Sequence, residues 1–157
     1  LEFSRTFDYK LVREIGIHKR LYTACSDDFA PKEENWQPVE SELFWYILAH
    51  DRGELLGMFV CVPENPICWR FHVCLLPAAY GATSSEAMRQ VTRWIFENTN
   101  CMRLVGSVPK YNTLACRLAR LANWQQFGLN YKSYLKNGVL HDQLMFGISR
   151  SDLPCHS

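Results

Sequence analysis

Leu75-Leu76-Pro77-Ala78-Ala79-Tyr80-Gly81-Ala82-Thr83-Ser84-Ser85-Glu86-Ala87 is the stretch at which the chain changes period. Upstream, Ile67 to Leu76 alternates as a strand, with Arg70, His72 and Cys74 on one face and Trp69, Phe71 and Val73 on the other. Downstream of Pro77, Met88, Val91 and Ile95 form one stripe of a helix from about Ser84 to Asn98. Thr83 and Glu86 stand three apart, the spacing of a capping box at its start. Arg103 to Val108 then reads as another strand, so Ile67 to Val108 is a βαβ unit whose crossover should be right-handed. That geometry puts the loop Ala78 to Ser85 at the carboxyl end of a strand and at the positive end of a helix, where unpaired N–H groups face an anion. Gly81, Ala82, Thr83, Ser84 and Ser85 are small enough to let a phosphate reach the backbone, and they equally suit an ordinary small-residue loop.

Working outward towards the amino terminus, Phe44 to Ala49 and Leu55 to Val62 also read as strands. Asp51-Arg52-Gly53 and Pro63-Glu64-Asn65-Pro66 are connections of hairpin length, which predicts an antiparallel meander of three strands. Before it, Tyr9, Leu11, Val12, Ile15, Ile17, Leu21 and Tyr22 recur at helical spacing, giving two short helices broken near Gly16. Leu1-Glu2-Phe3 lies outside this pattern. Pro31 and Pro38 oppose regular structure between Ser26 and Glu42, a loop expected to border a ligand site. Towards the carboxyl terminus, Asn112 caps a helix with the stripe Leu114, Leu118 and Leu121. Phe127 to Leu135 and Gln143 to Ile148 flank Asn137-Gly138, a strong hairpin signal.

The 157 residues are expected to form one domain: a helical start and loop over 1–42, a core over 43–152 and a tail over 153–157. A hydrophobic fraction of 48% with 21% charged residues belongs to a folded globular chain. The net charge of +1, from 17 basic against 16 acidic residues, carries no nucleic-acid footprint. No apolar run approaches the ~20 residues of a membrane span. Seven cysteines in an odd set, several within apolar runs and none in a C-x-x-C pair, fit a reducing cytoplasm and signal neither a zinc site nor a redox motif.

The run Leu75 to Ala87 resembles the segment of the GNAT acetyltransferase superfamily in which a strand ends at a Pro and enters a pyrophosphate loop. Val108-Pro109-Lys110-Tyr111-Asn112-Thr113-Leu114-Ala115-Cys116-Arg117-Leu118 resembles the same family's strand and Asn-led helix. Asn123-Trp124 stands where the family has Gly-Phe, and Lys136-Asn137-Gly138 through Asp142 to Arg150 resembles the closing hairpin of the ribosomal-protein N-terminal acetyltransferase branch. Bacteriophage-encoded members with a short helical start in place of a first strand are also similar. The resemblance covers roughly Phe44 to Asp152. It implies an α/β fold with a mixed, mostly antiparallel sheet, a central splayed parallel pair, and helices on both faces.

It also implies acetyl-coenzyme A as co-substrate, with no metal, and an amine of a small molecule or protein as acceptor. Leu75 and Leu76 would hold the pantetheine arm by their backbones, Tyr80, Gly81, Ala82, Thr83, Ser84 and Ser85 the pyrophosphate, and Asn112 the pantetheine amides or only its own helix. Departures accompany the matches. Ala79 stands where the family's loop begins with Arg or Gln, Gly81 comes one place early, and Ala115 and Ala119 replace the Ser and Tyr of catalytic members. An amine must lose a proton before it attacks a thioester, which requires a base. His72 is the candidate on the strand that precedes the loop, against a second reading as a hydrogen-bonded histidine of the sheet face. An N-acetyltransferase working by direct attack in a ternary complex is expected, with a catalytically silent member of the fold as the alternative. Membrane association is not expected, nucleic acid is an unexpected partner, and a homodimer remains open.

Overall fold

In the computed structural model, which describes residues 1–154, one seven-stranded sheet runs in the order β1-β2-β3-β4-β5-β7-β6. The strands are β1 (Glu2–Thr6), β2 (Trp45–Asp51), β3 (Glu54–Pro63), β4 (Cys68–Leu75), β5 (Arg103–Pro109), β6 (Gln125–Lys136) and β7 (Val139–Ser149). The helices are α1 (Tyr9–Gly16), α2 (Lys19–Cys25), α3 (Ala82–Asn98) and α4 (Thr113–Leu121). Every pairing is antiparallel except β4 with β5. Cys155 and the rest of the expected tail beyond Pro154 lie outside the described residues.

Alternation along the strands sorts the side chains into two cores. Ile47, Phe59, Cys61, Trp69, Phe71, Leu104, Phe146 and Ile148 bury against Met88, Val91 and Ile95 of α3 and against Cys116 and Ala119 of α4. Phe59, Phe71 and Trp124 continue as an aromatic run, with ring centroids 5.5 and 4.9 Å apart. Each such buried ring contributes about 1.5–3 kcal/mol by leaving water. On the opposite face Tyr46, Leu48 and Met58 meet Val12, Ile15 and Leu21 of α1 and α2. Helices therefore cover both faces, as the resemblance implied.

Three expectations are corrected. The first is the start of the chain, where Glu2–Thr6 forms a strand on the edge of the sheet, paired from Glu2 with His50 to Thr6 with Tyr46. Five residues carry too little periodicity to announce themselves, and the open edge of β2 supplies the bonds that their sequence does not specify. The second is the capping box. Gly81 is the N-cap of α3 and no side chain caps it, while Glu86 binds Arg89 and Gln90 instead. The third is the buried face of α4. Leu118 of the expected stripe does pack against the main core, but Leu114 and Leu121 are 79% and 50% exposed, and the fully buried residues are Cys116, Ala119 and Ala122, because close approach of helix to sheet favours small side chains.

Other expectations are met. Asn112 caps α4, its side chain accepting from the Ala115 amide at 3.1 Å. Asn137 and Gly138, with φ of 53° and 72°, turn the last hairpin in the left-handed conformation that a two-residue type I′ loop demands. Asn123 takes φ 66°, the conformation for which helix ends use glycine, and Trp124 follows it into the core at 3% exposure. Trp36 packs over Gly16, where a Cβ would stand 2.6 Å from its ring.

Candidate active site

The functional geometry begins where β4 and β5 part. Their parallel ladder holds Cys68 with Arg103, Trp69 with Leu104 and Arg70 with Val105, and there it stops, although β4 continues to Leu75 and β5 to Pro109. The two strands thus diverge towards their carboxyl ends. In the antiparallel ladder between β3 and β4, alternate residues exchange both backbone bonds with the partner and the intervening ones point away. The Leu76 amide donates to the Leu56 carbonyl at 2.8 Å and the Glu64 amide to the Cys68 carbonyl at 3.0 Å, so with the register of this ladder the even-numbered residues of β4 face β3. Phe71, Val73 and Leu75 consequently turn their backbone groups towards β5. The Phe71 carbonyl does so visibly, lying 3.2 Å from where a Cβ on Gly106 would sit.

This parity divides the two strand residues expected to hold a pantetheine arm. Leu75 presents its backbone to the gap, whereas the amide of Leu76 is spent inside the sheet. By the same parity Val73, and not Leu76, turns its backbone towards the gap. Register parity would have identified it from the sequence, had the start of the ladder been known.

Beyond Leu75 the chain makes a single 3-10 turn over Pro77–Ala79 and reaches Gly81 at φ 91°, ψ −142°. That conformation is essentially restricted to glycine. It releases the chain into the 17-residue helix α3, which has no acidic residue in its first turn. The Ser84 and Ser85 hydroxyls donate backwards to the carbonyls of Gly81 and Ala82, at 2.7 and 3.0 Å, so neither competes for the amides of that turn. The amides of Ala82 and Thr83 open the helix, and a Cβ at Gly81 would meet nothing within 4 Å, so the approach is clear. Tyr80 is 52% exposed beside it. Ala79, where the family pattern has a long polar side chain, is fully buried.

Asn112 stands at the equivalent end of β5. Its Oδ1 is committed to the cap, which leaves the amide nitrogen as the donor it could offer a ligand. Ala115 and Ala119 follow on α4, and Ala119 is only 3% exposed within the main core. Neither carries a proton-donating group.

His72 lies on the α1–α2 face of β4, in register with Val60. The residue is exposed, yet the protein around its ring desolvates the charged form and, with the nearby Arg70 guanidinium second, holds its pKa below the ordinary imidazole value. Arg70 is itself bridged to Glu64 at 3.0 Å. At neutral pH the ring is therefore a neutral acceptor of protons. On the same face, beyond β5, an aromatic group escaped the sequence reading: the Tyr111 ring meets His141 at 4.5 Å and Tyr134 at 6.3 Å. Burial pushes the Tyr134 phenol up, with Tyr111 next among the causes. Tyr131, three residues earlier on β6, is 72% exposed, whereas Tyr134 is half-buried and faces Tyr111. Among the described residues no group of three His, Cys, Asp or Glu could hold a metal.

Neither any family model nor any curated protein matches this sequence. Solved structures do match over nearly the whole chain. A spermidine N-acetyltransferase mutant from Vibrio cholerae is 15% identical with a TM-score of 0.75, covering 96% of each chain. A ribosomal-protein-alanine N-acetyltransferase from Brucella melitensis is 15% identical at 0.69, covering 95% of this chain and 99% of its own. The Vibrio cholerae spermidine enzyme in complex with CoA and spermine is 12% identical at 0.76, covering 95% and 96%. The splayed parallel pair, the helix opening at Gly81 and the match along the whole chain together make this the fold of the GNAT acetyltransferases.

Proposed function

We propose that this protein is an acetyl-coenzyme A-dependent N-acetyltransferase that acylates a primary amine by direct attack in a ternary complex. One observation carries the reading: unpaired backbone groups of Val73 and Leu75 face a gap in the sheet whose lip is the uncapped start of α3. That combination fits an extended amide chain ending in a diphosphate, since strand-like amides bond to strand edges and anions to helix starts. The co-substrate would supply an activated acetyl thioester. Val73, Leu75 and the Asn112 amide nitrogen would hold its pantetheine arm, and the backbone from Tyr80 to Ser85 its diphosphate. Backbone N–H groups at the gap would polarise the thioester oxygen. His72, kept neutral by its surroundings, would take the amine proton, directly or through a water. With alanine at 115 and 119 neither position donates a proton to the departing thiolate, so positioning supplies most of the rate.

Structural neighbours named for spermidine and for ribosomal-protein alanine make a polyamine and an alanine-ended peptide the first acceptors to assay. Cytoplasmic residence rests on the cysteine usage, the phage affinity on the sequence resemblance alone, and a homodimer through β6 on the exposure of that edge strand.

Ala79, Ala115 and Ala119 favour a second reading, a member of the fold without turnover. Thermal denaturation with added coenzyme A separates a binder from a non-binder, since a ligand at about 100 times its dissociation constant stabilises by ~2.7 kcal/mol. We expect such a shift with both coenzyme A and acetyl-coenzyme A. Unchanged melting, together with no heat in calorimetry, would leave only the architecture.

A further inference from the structure

The rings of Tyr111, Tyr134 and His141 stand outside both hydrophobic cores, so packing of the interior does not account for them. Each is held by a different piece of backbone. Tyr134 and His141 are direct partners in the ladder of β6 and β7 and therefore share a face. A register shift between Asn130 and Tyr134 brings them opposite each other, with Lys132 at φ 48° and its amide donating to Asp142 Oδ1 at 2.9 Å. Tyr111 is carried by the turn after β5, where the Lys110 amide donates to the Asp142 carbonyl and the Asn112 amide to the Pro109 carbonyl, both at 2.8 Å. The Tyr134 hydroxyl donates to the Cys25 carbonyl at 3.4 Å, which steadies the far end of its ring against the end of α2.

The result is a corner of inclined rings. Tyr111 meets Tyr134 at 56° and His141 at 65°, and it remains open to solvent. The last residue of β5, Pro109, is in register with Gln143, so Tyr111 and His141 lie just past the carboxyl end of that strand, where β4 and β5 have parted. The corner thus borders the gap from the β5 side, on the face that carries His72 on β4. Aromatic faces present the negative side of the ring quadrupole and attract cations. The surroundings share that sign: burial pushes the Tyr134 phenol up, and Tyr111 and the Asp27 carboxylate add to it. Lys136, two residues along β6, gives its ammonium to the carbonyls of Thr23 and Ser26. Among the described residues no lysine or arginine stands over any of the three rings.

We propose that this corner holds a second positive charge of the acceptor, so that the amine acetylated here belongs to a molecule carrying another cationic group. The inference rests on the acetyltransferase reading above and narrows its substrate class. One ammonium of the acceptor gives a proton to His72 before attack. The C–N bond then forms, the C–S bond of the thioester breaks, and a second nitrogen proton ends on the departing thiolate. The other ammonium keeps its protons and rests against the faces of Tyr111 and Tyr134, which fixes the reacting end at the gap. A monoamine of the same chain length lacks that hold.

The test reads binding and does not depend on turnover. Calorimetry on the full chain, free and loaded with coenzyme A, compares diaminobutane, diaminohexane and diaminooctane with butylamine, hexylamine and octylamine, and with phenylethylamine. The best diamine should bind about tenfold more tightly than its matching monoamine. Tyr111→Leu should erase that preference and Tyr111→Phe, which keeps the ring face, should preserve it. Tyr111 is exposed, so neither change should shift the melting temperature. Equal affinity for diamines and monoamines in protein that binds coenzyme A would overturn the inference and leave the acetyltransferase reading standing. A preference that survives Tyr111→Leu would overturn it too, as would phenylethylamine matching the diamines, which would put stacking in place of charge. A Tyr111-dependent preference for diamines in protein that takes up no coenzyme A would uphold the cation corner and remove the acetyltransferase reading.

Discussion

At the scale of single residues, the proposed chemistry concentrates on His72. Replacement by alanine is expected to lower turnover by about 10²-fold or more, with coenzyme A affinity unchanged, measured by a thiol-release assay beside calorimetry. Because desolvation by the surrounding protein and then Arg70 lower the imidazole pKa, the proposed base stays neutral into mildly acidic solution. The acid limb of kcat/KM against pH should therefore fall below the ~6.5 of an ordinary histidine. Arg70→Gln removes one of the two causes and should move that limb upward. Alternation alone made the side of β4 occupied by His72 legible in the sequence. The backbone parity that separates Val73 and Leu75 from Leu76 was not legible, since it depends on which residues of β3 and β4 face each other. The group formed by Tyr111, Tyr134 and His141 was hidden for a related reason: it joins a loop to two strands whose bulges set the meeting point. Gly81 gives a second residue-scale outcome. An added methyl meets open space but cannot easily adopt φ 91°, so Gly81→Ala should cost about 1–3 kcal/mol of stability and weaken coenzyme A binding, both read from one denaturation series with and without ligand.

At the scale of elements, α4 allows the two roles of Asn112 to be separated. Aspartate caps a helix as well as asparagine does but lacks the amide donor. Asn112→Asp should thus leave the melting temperature nearly unchanged and loosen coenzyme A, whereas Asn112→Ala should also lose ~1 kcal/mol of stability. The hairpin of β6 and β7 offers a pH-dependent counterpart. The Asp28 carboxylate accepts from the amides of Asn137 at 2.7 Å and Gly138 at 2.8 Å, and these bonds hold its pKa below the usual range. A depressed carboxylate contributes its stabilisation above its unfolded pKa and loses it as the pH falls through the folded one. Hydrogen exchange at Asn137 and Gly138 should accordingly accelerate in Asp28→Ala at neutral pH, and the difference between the two proteins should vanish in acid. The hairpin itself was plain from Asn-Gly, but its clamp joins residues 109 and 110 positions apart, and no local pattern encodes such a pairing.

At the scale of the whole molecule, the order of strands and helices could be read because period and turn residues agreed along the chain from Phe44 onward. Failures fell where tertiary context decides. A five-residue edge strand borrows its bonds from β2, and α4 buries Cys116, Ala119 and Ala122 more deeply than its leucines because the helix lies close to the sheet. The divergence of β4 from β5 has a mechanical meaning beyond ligand binding. Strands β1 to β4 are stitched to β5, β7 and β6 by only three paired positions, so the sheet resembles a book bound at one end of its spine. A molecule lodged along Val73 and Leu75 would complete the binding, and the loaded protein should resist prying apart far better than the empty one.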